Sequence, residues 1–319
     1  MRAVRFAAYG EPAVLTPVEL PVPEPGPGQV LVRVAYAGVN FAEVMFRRGQ
    51  IPVGLPHVPG LEVTGTVERV GADVRGLAAG ARVAALTLDG GGYAEYALAR
   101  ADLAIELDGP LDRLSPVLAA AFPCNVPVAW GVVHAAARVL PAETVLITAP
   151  AGGVGTAAAQ LARSAGAGAV HGVTSSTTKA AYAAGFGYDE VWVGEVPAAR
   201  TFDVVLDSVG GDVRQRALEL LAPFGRYVVL GDAADAGDQT FAGNQLWGSG
   251  ASVGGYNLGG LAHQRPDLLG EHLRQAALSV ATGAVRIDVT EVPLADVAKV
   301  HELLESRRST GKYVLRVHD

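Results

Sequence analysis

The chain has 319 residues, half of them apolar, and a formal charge of −7 with no basic block or stripe. That length allows two domains of about 150 residues each, and the acidic balance argues against nucleic acid or an anionic membrane as a partner. A single cysteine, Cys124, excludes a disulfide framework and a four-cysteine zinc lobe within one chain.

The first segment, "MRAVRFAAYGEP", reaches Gly and Pro at once and lacks the apolar core of a signal peptide, which sets the expectation of a cytoplasmic chain. "PVPEPGPG" (Pro21–Gly28) is a stiff, non-helical connector. "QVLVRVAYAGVN" (Gln29–Asn40) alternates as a strand, with Val30, Val32 and Val34 on one face and Leu31 and Arg33 on the other. Glu62–Val74 reads as a strand, a glycine and a turn, and further strands are expected over Ala81–Thr87 and Gly91–Ala99. Short strands separated by turns point to a curled, barrel-like antiparallel domain. A long stretch without Asp, Glu, Lys or Arg, Leu114–Ala137, is interrupted by Pro116, Pro123 and Pro127. It suits buried loops and short helices better than a membrane span.

Beyond about residue 125 the rhythm changes. "TVLIT" (Thr144–Thr148) precedes a helix over Gly153–Ala165. "AVHGVTS" (Ala169–Ser175) precedes one over Thr177–Ala184, and "FDVVLDSVGG" (Phe202–Gly211) one over Asp212–Leu221. "GRYVVLGD" (Gly225–Asp232) is the next strand. This alternation is the signature of a doubly wound parallel sheet. Helices over His272–Gly283 and Leu294–Ser309 and a last strand over Gly311–Val317, expected to return to the first domain, complete the chain. The predicted division is 1–122 with 266–319 for the β-rich domain, and 123–265 for the doubly wound domain.

The turn "APAGGVG" lies between a strand and a helix, the context in which a glycine motif carries meaning. Ala151, Gly152, Gly153, Val154 and Gly155 are expected to cradle a pyrophosphate. Glycine lets phosphate approach the backbone, and the helix start offers unpaired N–H groups and a positive dipole end. The pattern starts with Ala149 where a glycine is usual. At the end of the next strand, "GVTSSTTK" contains no Asp or Glu to hold ribose hydroxyls. Thr174, Ser175 and Ser176 can donate hydrogen bonds and Lys179 supplies charge, so NADPH is the expected cofactor. Gly231 is expected along it.

Taken together, "AGVNFAEV", "PGLEVTGTVERVG", "GGYAEYALA", "APAGGVGTAAAQLAR" and "STGKYVL" resemble, over nearly the whole chain, the medium-chain dehydrogenase/reductase superfamily. They look most like its zinc-free quinone oxidoreductase (zeta-crystallin-like) branch, which also holds enoyl reductases. The resemblance implies a GroES-like barrel-type domain plus a Rossmann domain, an α/β fold, and a homodimer through the edge strand near Ala251–Gly255. Zinc members carry Cys at the position of Asn40 and Gly-His-Glu at Gly60-Leu61-Glu62. One thiol, Cys124, and one carboxylate do not make a three-ligand site, so no metal is expected.

Without a metal to polarise a carbonyl, a quinone or the activated C=C of an enone is the easier hydride acceptor. Asn40 is the candidate catalytic donor to the developing enolate oxygen; a turn-closing role is the alternative. Relatives often have Tyr at the positions of Met45 and Ile51, so this pocket is more apolar. Cys124, Asn125 and Val128 are further pocket candidates, and Tyr93 is either a pocket wall or a core residue. His57 is a proton relay or an ordinary histidine. The family likeness places Trp247 and Tyr256 in the pocket or at a subunit contact, and Asn257 toward the cofactor. Lys312 reaches toward the cofactor or is a strand-edge charge. A polyketide-tailoring role, by enoyl reduction or cyclisation, and a cofactor-binding protein with little turnover are the alternatives to a reductase.

Overall fold

The structure is a computed structural model that describes residues 1–318. Its strands are β1 (Arg2–Arg5), β2 (Thr16–Glu19), β3 (Gln29–Val39), β4 (Glu62–Val70), β5 (Arg82–Leu86), β6 (Tyr96–Arg100) and β7 (Ala104–Glu106). There follow β8 (Thr144–Thr148), β9 (Ala169–Thr174), β10 (Glu190–Val193), β11 (Phe202–Asp207), β12 (Leu221–Val229) and β13 (Ser252–Gly255), then β14 (Val289–Pro293) and β15 (Lys312–Arg316). The chain forms two compact units. One holds Met1–Pro127, Gly259–Gly283 and the chain from Ile287 onward; the other holds Val128–Leu258 and Ala284–Arg286. The junctions fall at 127 and 259 instead of 122 and 266.

The first unit is built on a seven-stranded sheet in the order β14-β15-β3-β4-β5-β7, with β6 also on β3. Most pairs are antiparallel, but β14 and β15 run parallel. The last strand does return here, pairing Tyr313 with Val39 across β3. Val30, Val32 and Val34 are buried, as their alternation requires, and Arg33 is exposed. Leu31 is buried too, because β3 is central and pairs with β4, β6 and β15, so little of it reaches water. The Gly91–Ala99 strand begins later than expected, at Tyr96, since Gly91–Tyr93 instead bond back to Val58, Pro59 and Gly60.

The second unit is a six-stranded sheet in the order β10-β9-β8-β11-β12-β13, parallel throughout. β8 is apolar on both faces, and Val145, Leu146 and Ile147 are buried, as a central parallel strand requires. Helix Gly153–Ser164 presses Ala157, Ala158, Leu161 and Ala162 inward, small side chains that let the helix lie close on the sheet. The chain leaves β8 toward β9 and β10, then returns to place β11 on the other side of β8. That reversal is a topological switch point, where loops diverge and a crevice opens at the strand C-termini. Among the described residues no helix is long and apolar enough to cross a membrane.

Candidate functional site

The glycine turn stands at that switch point. Its left-handed residue is not a glycine: Ala149 has φ 51°, while Gly152 caps the helix at φ −80°. Gly152 N–H donates to Ala149 O at 3.1 Å, and Thr156 N–H is the first to bond back, to Gly152 O at 2.9 Å. Helical geometry therefore leaves the N–H groups of Gly153, Val154 and Gly155 without an i−4 carbonyl, at the positive end of the dipole. A Cβ on Gly152 would meet nothing nearer than 3.5 Å, so backbone is open there. A Cβ on Gly155 would stand 2.5 Å from Ala149 O, so that glycine serves close packing of helix on turn. Ala151 is buried.

At the end of β9, Ser176 caps helix Thr177–Ala183, its Oγ accepting from Lys179 N–H at 3.4 Å. Thr174 ends the strand, Ser175 is exposed and Lys179 sits half-buried in the first helical turn. Gly231 lies against the neighbouring loop: a Cβ there would be 3.0 Å from Ser208 O, which accounts for the glycine without a ligand.

One group here was missed by the sequence reading. Asp207, fully buried at the end of β11, accepts from Thr148 Oγ1 at 3.0 Å, Val209 N at 2.9 Å and Arg214 Nε at 2.8 Å. Arg214 in turn donates to Gly231 O at 2.7 Å. An acid closing an apolar strand, with Arg seven residues on across a helix start, was the available signal.

The first unit holds a buried polar cluster of its own. Lys312 Nζ donates to Asn40 Oδ1 at 2.6 Å, to Val39 O at 2.9 Å, and to Glu62. Asn40 Nδ2 donates to Glu62 Oε1 at 2.9 Å and Glu43 Oε1 at 3.4 Å. Glu62 Oε2 accepts from Cys124 N–H at 2.6 Å. Glu43 completes a capping box with Asn40, accepting from Asn40 N–H at 2.7 Å and from Leu61 N–H at 3.0 Å. Burial pushes the Glu43 carboxyl up to about 7; Lys312 opposes the shift and Glu62 adds to it.

Family models match "Alcohol dehydrogenase GroES-like domain" over residues 26–109 and "Zinc-binding dehydrogenase" over 168–315. The quinone oxidoreductase of Pseudomonas aeruginosa is 32% identical, covering 98% of this chain and 99% of its own. The chain belongs to the medium-chain dehydrogenase/reductase superfamily, in its quinone oxidoreductase branch. Quinone oxidoreductase 1 of Escherichia coli is 30% identical over 98% of each chain. The crystal structure of an Escherichia coli quinone oxidoreductase complexed with NADPH superposes with a TM-score of 0.91 at 28% identity, covering 99% of this chain and all of that one.

This medium-chain reductase does not carry a donor set for the zinc that one family description names. Leu61 is apolar, and Asn40 and Glu62 are committed to Lys312. Among the described residues no three or more His, Cys, Asp or Glu side chains group as ligands. Burial pushes the Cys124 thiol well above its ordinary range, so it sits as a small apolar group.

Several site expectations are corrected by this geometry. Lys312 does not reach outward; it is 2% exposed and its three donors have three acceptors. Asn40 does not aim a free donor at a substrate oxygen, because both amide hydrogens face carboxylates. Tyr93 is no pocket wall: it is fully buried in the core, its hydroxyl 3.5 Å from His301 Nε2. Trp247 is 86% exposed, so it lines no enclosed pocket within the chain. Tyr256 packs its ring on Gly131, where a Cβ would lie 2.2 Å from it. Ile51 and Asn257 are exposed, while Met45, Asn125 and Val128 are half-buried. The His57 ring lies tilted against Phe6 and edge-on to Phe46, and burial lowers its pKa.

Proposed function

We propose that this protein is an NADPH-dependent, zinc-independent oxidoreductase that reduces a quinone or the activated C=C of an enone or enoyl compound. The observation that carries the reading is the combination at the switch point: an open helix N-terminus after β8 and a β9 end without any carboxylate. Its support is the nearly full-length likeness to quinone oxidoreductases, one of them crystallised with NADPH.

When bound, the cofactor supplies the hydride. The chain's part is to bind and orient. The N–H groups of Gly153, Val154 and Gly155 would hold its pyrophosphate, and Ser175, Ser176 and Lys179 would offer donors and charge to a 2′-phosphate. A quinone or enone suits a pocket without a Lewis acid, because its own conjugated system carries charge to oxygen as hydride adds.

Steady-state rates with NADPH and NADH against quinones, alkenals and enoyl thioesters test this. A charge-assisted contact to the 2′-phosphate corresponds to roughly tenfold or more in kcat/KM. NADPH is expected to lead by that factor, and Lys179→Ala to narrow the gap. Equal use of NADH by the unaltered enzyme would overturn the cofactor assignment. Turnover of none of the acceptors would overturn the activity.

A further inference from the structure

We propose that Thr148 and Asp207 form a clasp that presets the width of the dinucleotide crevice, which makes Thr148 a positioning residue for the cofactor. The inference rests on the reading above that a dinucleotide binds at the switch point.

Thr148 is the last residue of β8 and directly precedes the Ala149 turn. It is 2% exposed, in a strand whose preceding residues Val145, Leu146 and Ile147 are apolar and buried. Valine has the same shape and suits a buried strand better, so the hydroxyl calls for a polar task. It has one: Oγ1 donates to Asp207 Oδ1 at 3.0 Å and accepts from Ser208 N–H at 3.0 Å. The end of β8 is thus stitched to the end of β11 across the place where the two loops part.

Asp207 extends the stitch. Gly210 N–H lies 3.3 Å from its carboxylate, beside the bonds from Val209 and Arg214. Those contacts hold a loop with two consecutive left-handed residues, Gly210 at φ 81° and Gly211 at φ 59°. Arg214 carries the tie on to Gly231 O beyond β12. One buried carboxylate therefore anchors three neighbouring strand ends. On one side the clasp grips the residue before the phosphate-binding turn, which already contains a non-glycine residue at positive φ. On the other it grips the loop facing that turn. With both walls set in advance, little ordering remains to oppose binding.

The experiment pairs Thr148→Val, which keeps shape and removes both bonds, with Thr148→Ser, which restores the hydroxyl. Two readouts are taken on the full chain: NADPH affinity by fluorescence titration, and amide hydrogen exchange over residues 149–155 and 208–211 without ligand. Thr148→Val is expected to raise the NADPH Kd about tenfold and to speed exchange in both segments. Thr148→Ser should return both toward the unaltered protein. A Thr148→Val protein that binds NADPH within about twofold of the unaltered protein, with only a lowered Tm, would overturn the proposal, and so would failure of serine to rescue. If the unaltered protein binds no NADPH, the functional reading falls; exchange at 149–155 unaffected by Thr148→Val would separately remove the clasp.

Discussion

Removing the Lys312 ammonium would strand the Glu62 carboxylate in a site closed to solvent. Both side chains are essentially unexposed, and Glu62 has Asn40 and the Cys124 backbone as its other partners. Breaking a buried ion pair from one side costs about 3–5 kcal/mol. Lys312→Met is therefore expected to lose about that much stability in urea denaturation, and the double variant Lys312→Met/Glu62→Gln to recover part of it. A single variant as stable as the unaltered protein would show that the carboxylate finds another partner. The cluster also shows what a sequence conceals at this scale. Asn40 was legible as a site residue, whereas Glu62 was noted only as the carboxylate of an incomplete zinc ligand set. Lys312 was legible only as a charge beside a strand. Its pairing with Glu62, 250 residues away, depends on β15 coming to lie against β3, which no local pattern states. For the same reason the donors of Asn40 looked free in the sequence.

At the scale of elements, the glycine turn shows how one motif divides its tasks. The left-handed position falls on Ala149, the open backbone on Gly152 and the tight contact on Gly155. Gly155→Ala would force a methyl to within 2.5 Å of Ala149 O and 2.9 Å of Pro150 Cα. The nearest atoms are all backbone of Ala149 and Pro150, so the methyl has no flexible neighbour to displace and the helix start must move. Overpacking of this kind costs roughly 1–3 kcal/mol. Gly155→Ala is expected to lower Tm accordingly and to weaken NADPH binding, whereas Gly152→Ala, with space around it, is expected to keep its Tm. Equal Tm losses in the two variants would refute this division. The strand–turn–helix itself was legible, because three large apolar residues between threonines, a break and a small-residue helix admit few other readings. So were β8, β9, β11 and β12 with the helices between them, within a few residues at each end, but the short edge strand β10 was not. β14, whose partner β15 is recognisable only in space, was not. Nor was the Asp207 tie, since "LDSVGG" reads as an ordinary strand end until β8 is known to lie beside it.

Over the whole molecule, two buried titratable groups shape the pH dependence of stability in opposite senses. Burial raises Glu43 from its ordinary 4.5 to about 7. The folded state then holds a proton that the unfolded chain has released, so the contribution of Glu43 is complete below 4.5 and disappears as pH rises through 7. Its size is about 3 kcal/mol. Burial, with Arg47 beside it, lowers His301 from 6.5 to about 3. Here the unfolded chain takes up the proton first, so the contribution is complete above 6.5 and is lost as pH falls toward 3. Between 4.5 and 6.5 the two slopes oppose one another, and a single stability profile would hide both. Variants separate them. In urea denaturation from pH 4.5 to 8, the stability advantage of the unaltered protein over Glu43→Gln should shrink as pH rises. Its advantage over His301→Asn should shrink as pH falls below 6.5. Slopes of the same sign for the two comparisons would mean that at least one group titrates as it does in water, and that the pocket around it admits solvent.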